Sequence, residues 1–279
     1  MKRRKVIVIT GPTASGKSAL AVEMALRHGC DVISADSRQI YAGIPIVTAQ
    51  PTEEERRGVT HHLIGTLPLE AYYSAAEFER DALRLIGEQF ERSDTAIVCG
   101  GSMMYVDALC NGIDVLPTIP EDFRSALKAE AEERGSDWLL AELERLDPAY
   151  HGRVDRRNLR RVFHAVEISM YAGRPYSSLL TGRRVERDFE IERHVIELPR
   201  EVLFERINRR VDAMVAAGLE EEARGVWHLR GLNSTNTVGL KEMFAWFEGR
   251  MDRVTAIERI KKNTRVFAKK QMTWMKKAL

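Results

Sequence analysis

Short apolar runs alternate with amphipathic stretches through the first hundred or so residues. Lys5 to Thr10, with the apolar run Val6 to Ile9, reads as the first strand. Lys17 to about His28 has helical spacing, and Asp31 to Ala35 predicts a second strand ending at Asp36. A short strand is expected at His62 to Ile64, then a helix over Ser74 to Phe90 with Phe78, Leu83, Leu85 and Ile86 among its apolar positions. Thr95 to Cys99 reads as another buried strand, closed by Gly100-Gly101. This alternation predicts an α/β fold in which crossover helices join parallel strands.

From Pro117 to Asp188 the β-rich runs give way to helical spacing, beginning after Pro117-Thr118-Ile119-Pro120. His194 to Leu198 then predicts a strand that rejoins the sheet. Long helices finish the chain, the last over Arg253 to Lys277. The expected organisation is a core of residues 1–116 and 189–279 with an all-helical insertion at 117–188.

A length of 279 residues fits that plan, and 44% hydrophobic with 30% charged residues excludes a mostly disordered chain. The 43 basic and 41 acidic side chains leave a net charge of +2, so total charge predicts no partner and only local clusters can. Val6 to Ile9 is too short for a signal-peptide core, and no apolar run reaches the roughly 18 residues of a membrane span. Cys30, Cys99 and Cys110 have no metal-ligand spacing. A cytoplasmic protein with buried, reduced thiols is the expectation.

Candidate chemistry begins at Gly11-Pro12-Thr13-Ala14-Ser15-Gly16-Lys17-Ser18, a complete P-loop pattern between a predicted strand and a predicted helix. Backbone N–H groups and the helix N-terminus would surround a phosphate chain, Lys17 would add a charge, and Ser18 could place its hydroxyl on Mg²⁺. The fold expected is therefore a P-loop NTPase-like parallel sheet flanked by helices, with the inserted helical subdomain. Thr95 to Cys99 ends in Gly100-Gly101-Ser102, without the acid that ends the equivalent strand in NTP-hydrolysing proteins. The acid stands instead at Asp36, followed by Ser37-Arg38-Gln39-Ile40-Tyr41. From its position it can be a base acting on an acceptor or a strand-end Asp capping a turn. A small-molecule kinase, or a P-loop RNA-binding module without catalysis, would suit the same features.

The motifs together resemble the tRNA dimethylallyltransferases, or tRNA isopentenyltransferases. Residues 11 to 18 and 36 to 41 match, as do His61-His62-Leu63-Ile64, Tyr73 to Phe78 and Gly100-Gly101-Ser102. So do Arg210-Val211-Asp212-Ala213-Met214 with Gly218-Leu219, Gly239-Leu240-Lys241-Glu242 and Thr264 to Trp274. The resemblance implies transfer of a dimethylallyl group from dimethylallyl diphosphate, with Mg²⁺, to the exocyclic N6 amine of the tRNA adenosine immediately 3′ to the anticodon. It implies Asp36 as the base and Thr13 with Arg210 on the bridging oxygen, Arg206 being one helical turn away. The base and the diphosphate would enter opposite ends of a channel. Ser37, Arg38, Gln39, Ser102, Arg124, Asn158, Arg160 and Arg161 are then expected, with Asp36, to contact the tRNA anticodon stem-loop, and a monomer is expected. The chain departs from the family at Met103, at Gln50 and at Asp155-Arg156-Arg157-Asn158.

Arg153, Arg156, Arg157, Arg160 and Arg161 have helical spacing and would form an RNA-facing stripe, opposite an apolar one of Leu159, Val162, Phe163 and Val166. A solvated helix face is the plainer reading of such a run. Arg183 and Arg184 are weaker candidates. Residues 259 to 277 hold eight basic residues and no acid. Within that stretch the lysines suit RNA, whereas Phe267 and Trp274 are expected to pack the helix onto the core. His61-His62 could suggest metal ligands, but neighbours on a strand face opposite ways.

Overall fold

The computed structural model describes residues 4–182 and 184–278, with side chains to 276, so Arg183 lies outside the described residues. The chain divides into two compact units, Met1–Gly112 with Val185–Leu279, and Ile113–Arg184.

The first unit is built on β1 (Lys5–Thr10), α1 (Lys17–His28), β2 (Val32–Ser34), the short α2 (Pro45–Thr48) and α3 (Glu53–Arg56), β3 (His61–His62), α4 (Ala75–Phe90), β4 (Thr95–Gly100) and α5 (Met103–Asn111). The chain re-enters it through β5 (Glu190–Val195), after the four helices of the second unit. All strand pairs are parallel, in the order β3-β2-β4-β1-β5. Alternation along β1 explains its double burial: Val6 and Val8 pack with Phe78 and Ile86 of α4, while Ile7 and Ile9 pack with Ala21 and Val22 of α1. Ser74 and Glu77 form a reciprocal capping box that starts α4. Gly100 is required where β4 passes β2, since a Cβ there would lie 2.1 Å from the Ala35 carbonyl oxygen.

The second unit holds α6 (Glu121–Leu146), kinked at Gly135 where φ is 83°, then α7 (Pro148–His151), α8 (Leu159–Ala172) and α9 (Tyr176–Leu179). Leu127, Leu139 and Leu143 of α6 pack on Val162, Ala165 and Val166 of α8. Asp147, 1% exposed, ties three segments by accepting from Tyr150 N (2.9 Å), Ser177 N (2.6 Å) and Ser177 Oγ (2.7 Å). Burial alone would raise the pKa of Asp147, but these hydrogen bonds outweigh it and hold the carboxyl below its ordinary value. The first unit resumes after β5 with α10 (Arg200–Ala216), α11 (Leu219–Gly225), a 3₁₀ turn, α12 (Leu240–Phe247) and α13 (Arg253–Ala278).

Several expectations are corrected. The third strand ends before Leu63, whose φ of 61° is left-handed and takes the backbone out of the pleat. The strand expected at His194 to Leu198 begins at Glu190, because its register follows β1, with Lys5 opposite Glu190. It is an edge strand with half-exposed residues, so no apolar alternation marks its start. Only Arg160 and Arg161 lie in α8; Arg153, Arg156 and Arg157 sit in the turns before it and form no helical stripe. Leu159 is 43% exposed and Phe267 42% exposed, so neither packs as expected, whereas Trp274 does pack against the sheet core.

Candidate active site

The phosphate loop leaves β1, which lies between β4 and the edge strand β5, and enters α1. Ala14 (φ 63°) and Gly16 (φ 95°) take left-handed conformations that curl the backbone, and Ser15 N donates to Pro12 O at 3.2 Å. Lys17 folds back on the loop, its ammonium 3.0 Å from Pro12 O. Two arginines one turn apart on α10 reach the same loop. Arg210 Nη1 donates to Thr13 Oγ1 at 3.2 Å and its Nη2 to Ala49 O at 3.4 Å, while Arg206 Nη1 lies 3.5 Å from Ser15 O.

Burial lowers the pKa of Lys17, which Arg210 lowers further while Cys99 and Asp36 oppose the shift. Burial likewise lowers that of Arg210, against Asp36 and Glu55. Two cations that burial disfavours in one cradle would both be relieved by a phosphate anion. Cys99, beneath them, is pushed up to about 12 by burial and stays a thiol. Cys30 and Cys110 are also buried and unpaired.

Asp36 follows β2, and its Oδ1 accepts from Arg38 N (2.9 Å) and Gln39 N (3.3 Å). The carboxylate therefore does cap a turn, yet its Oδ2 accepts no hydrogen bond among the described residues and remains available to a donor. Ser102 secures the same turn from the end of β4. Its Oγ accepts from Ser37 N at 2.7 Å and donates to Ser37 Oγ at 3.0 Å, while Ser102 N donates to Ala35 O. Gln39 turns inward, its Nε2 on Thr48 O (3.2 Å) and Ala49 O (2.9 Å), and Arg38 Nη1 reaches the carbonyls of Asn233 and Ser234. Gln50, a departure from the family pattern, donates to Gln39 O (2.9 Å) and Tyr41 O (3.0 Å). Arg38, Gln39 and Ser102 thus use their polar groups to shape the loop that carries Asp36.

Gln271 of α13 was not singled out by the sequence. It is 2% exposed; its Oε1 accepts from Thr13 N at 2.9 Å and its Nε2 donates to Gly101 O at 2.8 Å. The signal that could have found it is a polar residue at a buried helical position, between Ala268 and Met275.

In the second unit, Arg160 and Arg161 are exposed and take part in no ion pair among the described residues. Arg184 is exposed as well. Asn158 is the N-cap of α8, accepting from Arg161 N at 3.3 Å. Arg124 Nε donates at 2.8 Å to Glu167, which is 2% exposed. His61 and His62 face different partners, Val59 O and Asp31, and no group of three or more potential metal-binding side chains occurs among the described residues. Such a cage is not what Mg²⁺ needs beside a phosphate chain, where it keeps waters and takes few protein ligands. The exposed Ser18 hydroxyl in the first turn of α1 fits that role.

A phosphate cradle of this kind, without an acid at the end of β4, marks a P-loop protein of the group-transfer class rather than an NTP hydrolase. The family model of the IPP transferases matches residues 39–278, beginning after the phosphate loop. The chain belongs to that family. It is 47% identical over 272 residues to tRNA dimethylallyltransferase 2 of Parabacteroides distasonis, covering 98% of this chain and 91% of the relative. Among solved structures it resembles the tRNA delta(2)-isopentenylpyrophosphate transferase of Staphylococcus epidermidis (31% identity, TM-score 0.70, covering 99% and 91% of the two chains). It also resembles a eukaryotic dimethylallyltransferase captured acting on tRNA (26% identity, TM-score 0.82, 98% and 70% covered). No helix among the described residues is long and apolar enough to cross a membrane.

Proposed function

We propose that the protein transfers a dimethylallyl group from dimethylallyl diphosphate to the exocyclic N6 amine of the tRNA adenosine immediately 3′ to the anticodon. The observation that carries this reading is Arg210 reaching into the phosphate loop to Thr13 Oγ1, opposite a carboxylate with one free oxygen. The loop N–H groups, Lys17, Thr13 and Arg210 hold the diphosphate. As the bond from N6 to the dimethylallyl C1 forms and the C1–oxygen bond breaks, negative charge grows on the departing oxygen and Arg210 with Thr13 stabilises it. The N6 proton passes to Asp36 Oδ2. Ser18 would hold Mg²⁺, which when bound would supply further charge neutralisation to the diphosphate. The acceptor base leaves its stack to reach the site, which costs less in an anticodon loop than in a duplex.

Exposed Arg160 and Arg161 support a grip on tRNA phosphates by the helical unit, with Arg184 and the lysines of α13 as further contacts. Arg124 and Asn158 act there by holding α6 and α8 in shape. Such an enzyme works as a monomer in the cytoplasm, where its tRNA is found. Incubation with Mg²⁺, dimethylallyl diphosphate and unmodified tRNA is expected to yield isoprenylated adenosine. Phosphate transfer from ATP without that product would instead establish a kinase.

A further inference from the structure

Resting on the transferase reading, we infer that Gln271 is a positioning residue that fixes the diphosphate cradle and the Asp36 turn in one register. Its side-chain amide is used at both ends. Oε1 holds Thr13 N, in the residue whose hydroxyl takes Arg210, and Nε2 holds Gly101 O, one residue before Ser102. Ser102 in turn grips Ser37 N and Oγ beside Asp36. One amide therefore joins the loop that receives the leaving group to the loop that carries the base. Among the described residues no other hydrogen bond joins α13 to either loop, although Ala268 and Met272 share an apolar cluster with Ala14, and 258 residues separate Gln271 from Thr13. The fit is close: a Cβ on Gly101 would lie 2.5 Å from Gln271 Nε2, so the glycine makes room for the amide.

In-line transfer needs the amine, C1 and the departing oxygen aligned, and an error of about 1 Å can cost on the order of 10²-fold in rate. Gln271→Met keeps the shape and removes both bonds. Gln271→Glu is isosteric, keeps an acceptor for Thr13 N and sets a carboxylate oxygen against Gly101 O. Gly101→Ala displaces the amide from the other side.

The test measures kcat at saturating dimethylallyl diphosphate and tRNA, inorganic diphosphate affinity by calorimetry, and melting temperature. All three variants are expected to lose about tenfold or more in kcat while binding diphosphate within about threefold of the parent. The inference is overturned if a folded Gln271 variant keeps kcat within about twofold, or if kcat and diphosphate affinity fall together, which would mark a packing role in the cradle alone. Loss of folding in both Gln271 variants would likewise make it a stability residue and sink the inference. A parent protein that forms no prenylated adenosine refutes the transferase reading itself, an outcome visible without any variant.

Discussion

Replacing Arg210 by alanine separates leaving-group stabilisation from folding. In the free protein the guanidinium makes two long hydrogen bonds, at 3.2 Å and 3.4 Å, and burial lowers its pKa. Its removal therefore strands one hydroxyl that can rotate and one carbonyl, Ala49 O, that Gln39 still satisfies at 2.9 Å. The fold should lose no more than about 1 kcal/mol. Catalysis should respond differently. A preorganised donor aimed at a developing anion is worth about 2.7–4 kcal/mol, so kcat should fall about 10²- to 10³-fold with the KM for tRNA little changed. Diphosphate should also raise the melting temperature of the variant less than that of the parent. Single-turnover transfer with nucleoside analysis of the tRNA, beside melting curves with and without diphosphate, reads both effects. If Arg210→Ala turns over normally while Arg206→Ala shows the loss, the stabilising cation is one turn earlier on α10 and the assignment is wrong.

Asp36→Ala should slow transfer by about 10²-fold or more while diphosphate binding holds, as expected of a lost general base; normal turnover would remove Asp36 from the proton transfer. Arg160→Ala with Arg161→Ala should weaken tRNA binding and reduce the slope of log affinity against log salt by about 1.4 to 1.8, without altering dimethylallyl diphosphate affinity; an unchanged slope in filter-binding titrations would make these arginines a solvated face. Asp147→Ala should destabilise the helical unit by about 3 kcal/mol or more, since it strands buried donors from Ser177 and Tyr150. Because the folded pKa of Asp147 is depressed, its contribution is present above the ordinary carboxylate value near 4 and is lost as pH falls through the lower folded one. Acid titration of helical circular dichroism should show a loss in the parent over that window that is missing from the variant.

What was legible in the sequence is local. The phosphate loop is a contiguous pattern, and Asp36 is marked by the apolar strand before it. Strand β5 starts earlier than its sequence suggests because Glu190, Glu192, Arg193 and His194 carry no period-2 signal, and only pairing with β1 makes them a strand. For Arg124 and Arg38 the charge is visible in the sequence and the partners within the chain are not: Glu167 lies 43 residues from Arg124, and Asn233 195 from Arg38. Gln271 was hidden for the same reason, since a polar residue on a buried helical face acquires meaning only once its distant carbonyl and N–H are beside it. In the arginine run, regular spacing suggested one helix, but Asn158 caps α8 and leaves the earlier arginines in turns.

The insertion of β4 between β1 and β2 has a consequence for how the protein is made. Those first two strands do not pair with each other; each waits for Thr95–Gly100 to lie between them. A nascent chain still short of β4 thus has a phosphate loop and an Asp36 turn with no common frame. Once β4 docks, Gly100 passes the Ala35 carbonyl and Ser102 closes on Ser37, so the two halves become a site in the same event. During synthesis the protein should therefore pass from no binding capacity to a nearly complete cradle over a short length of added chain, with α10 and α13 closing it last.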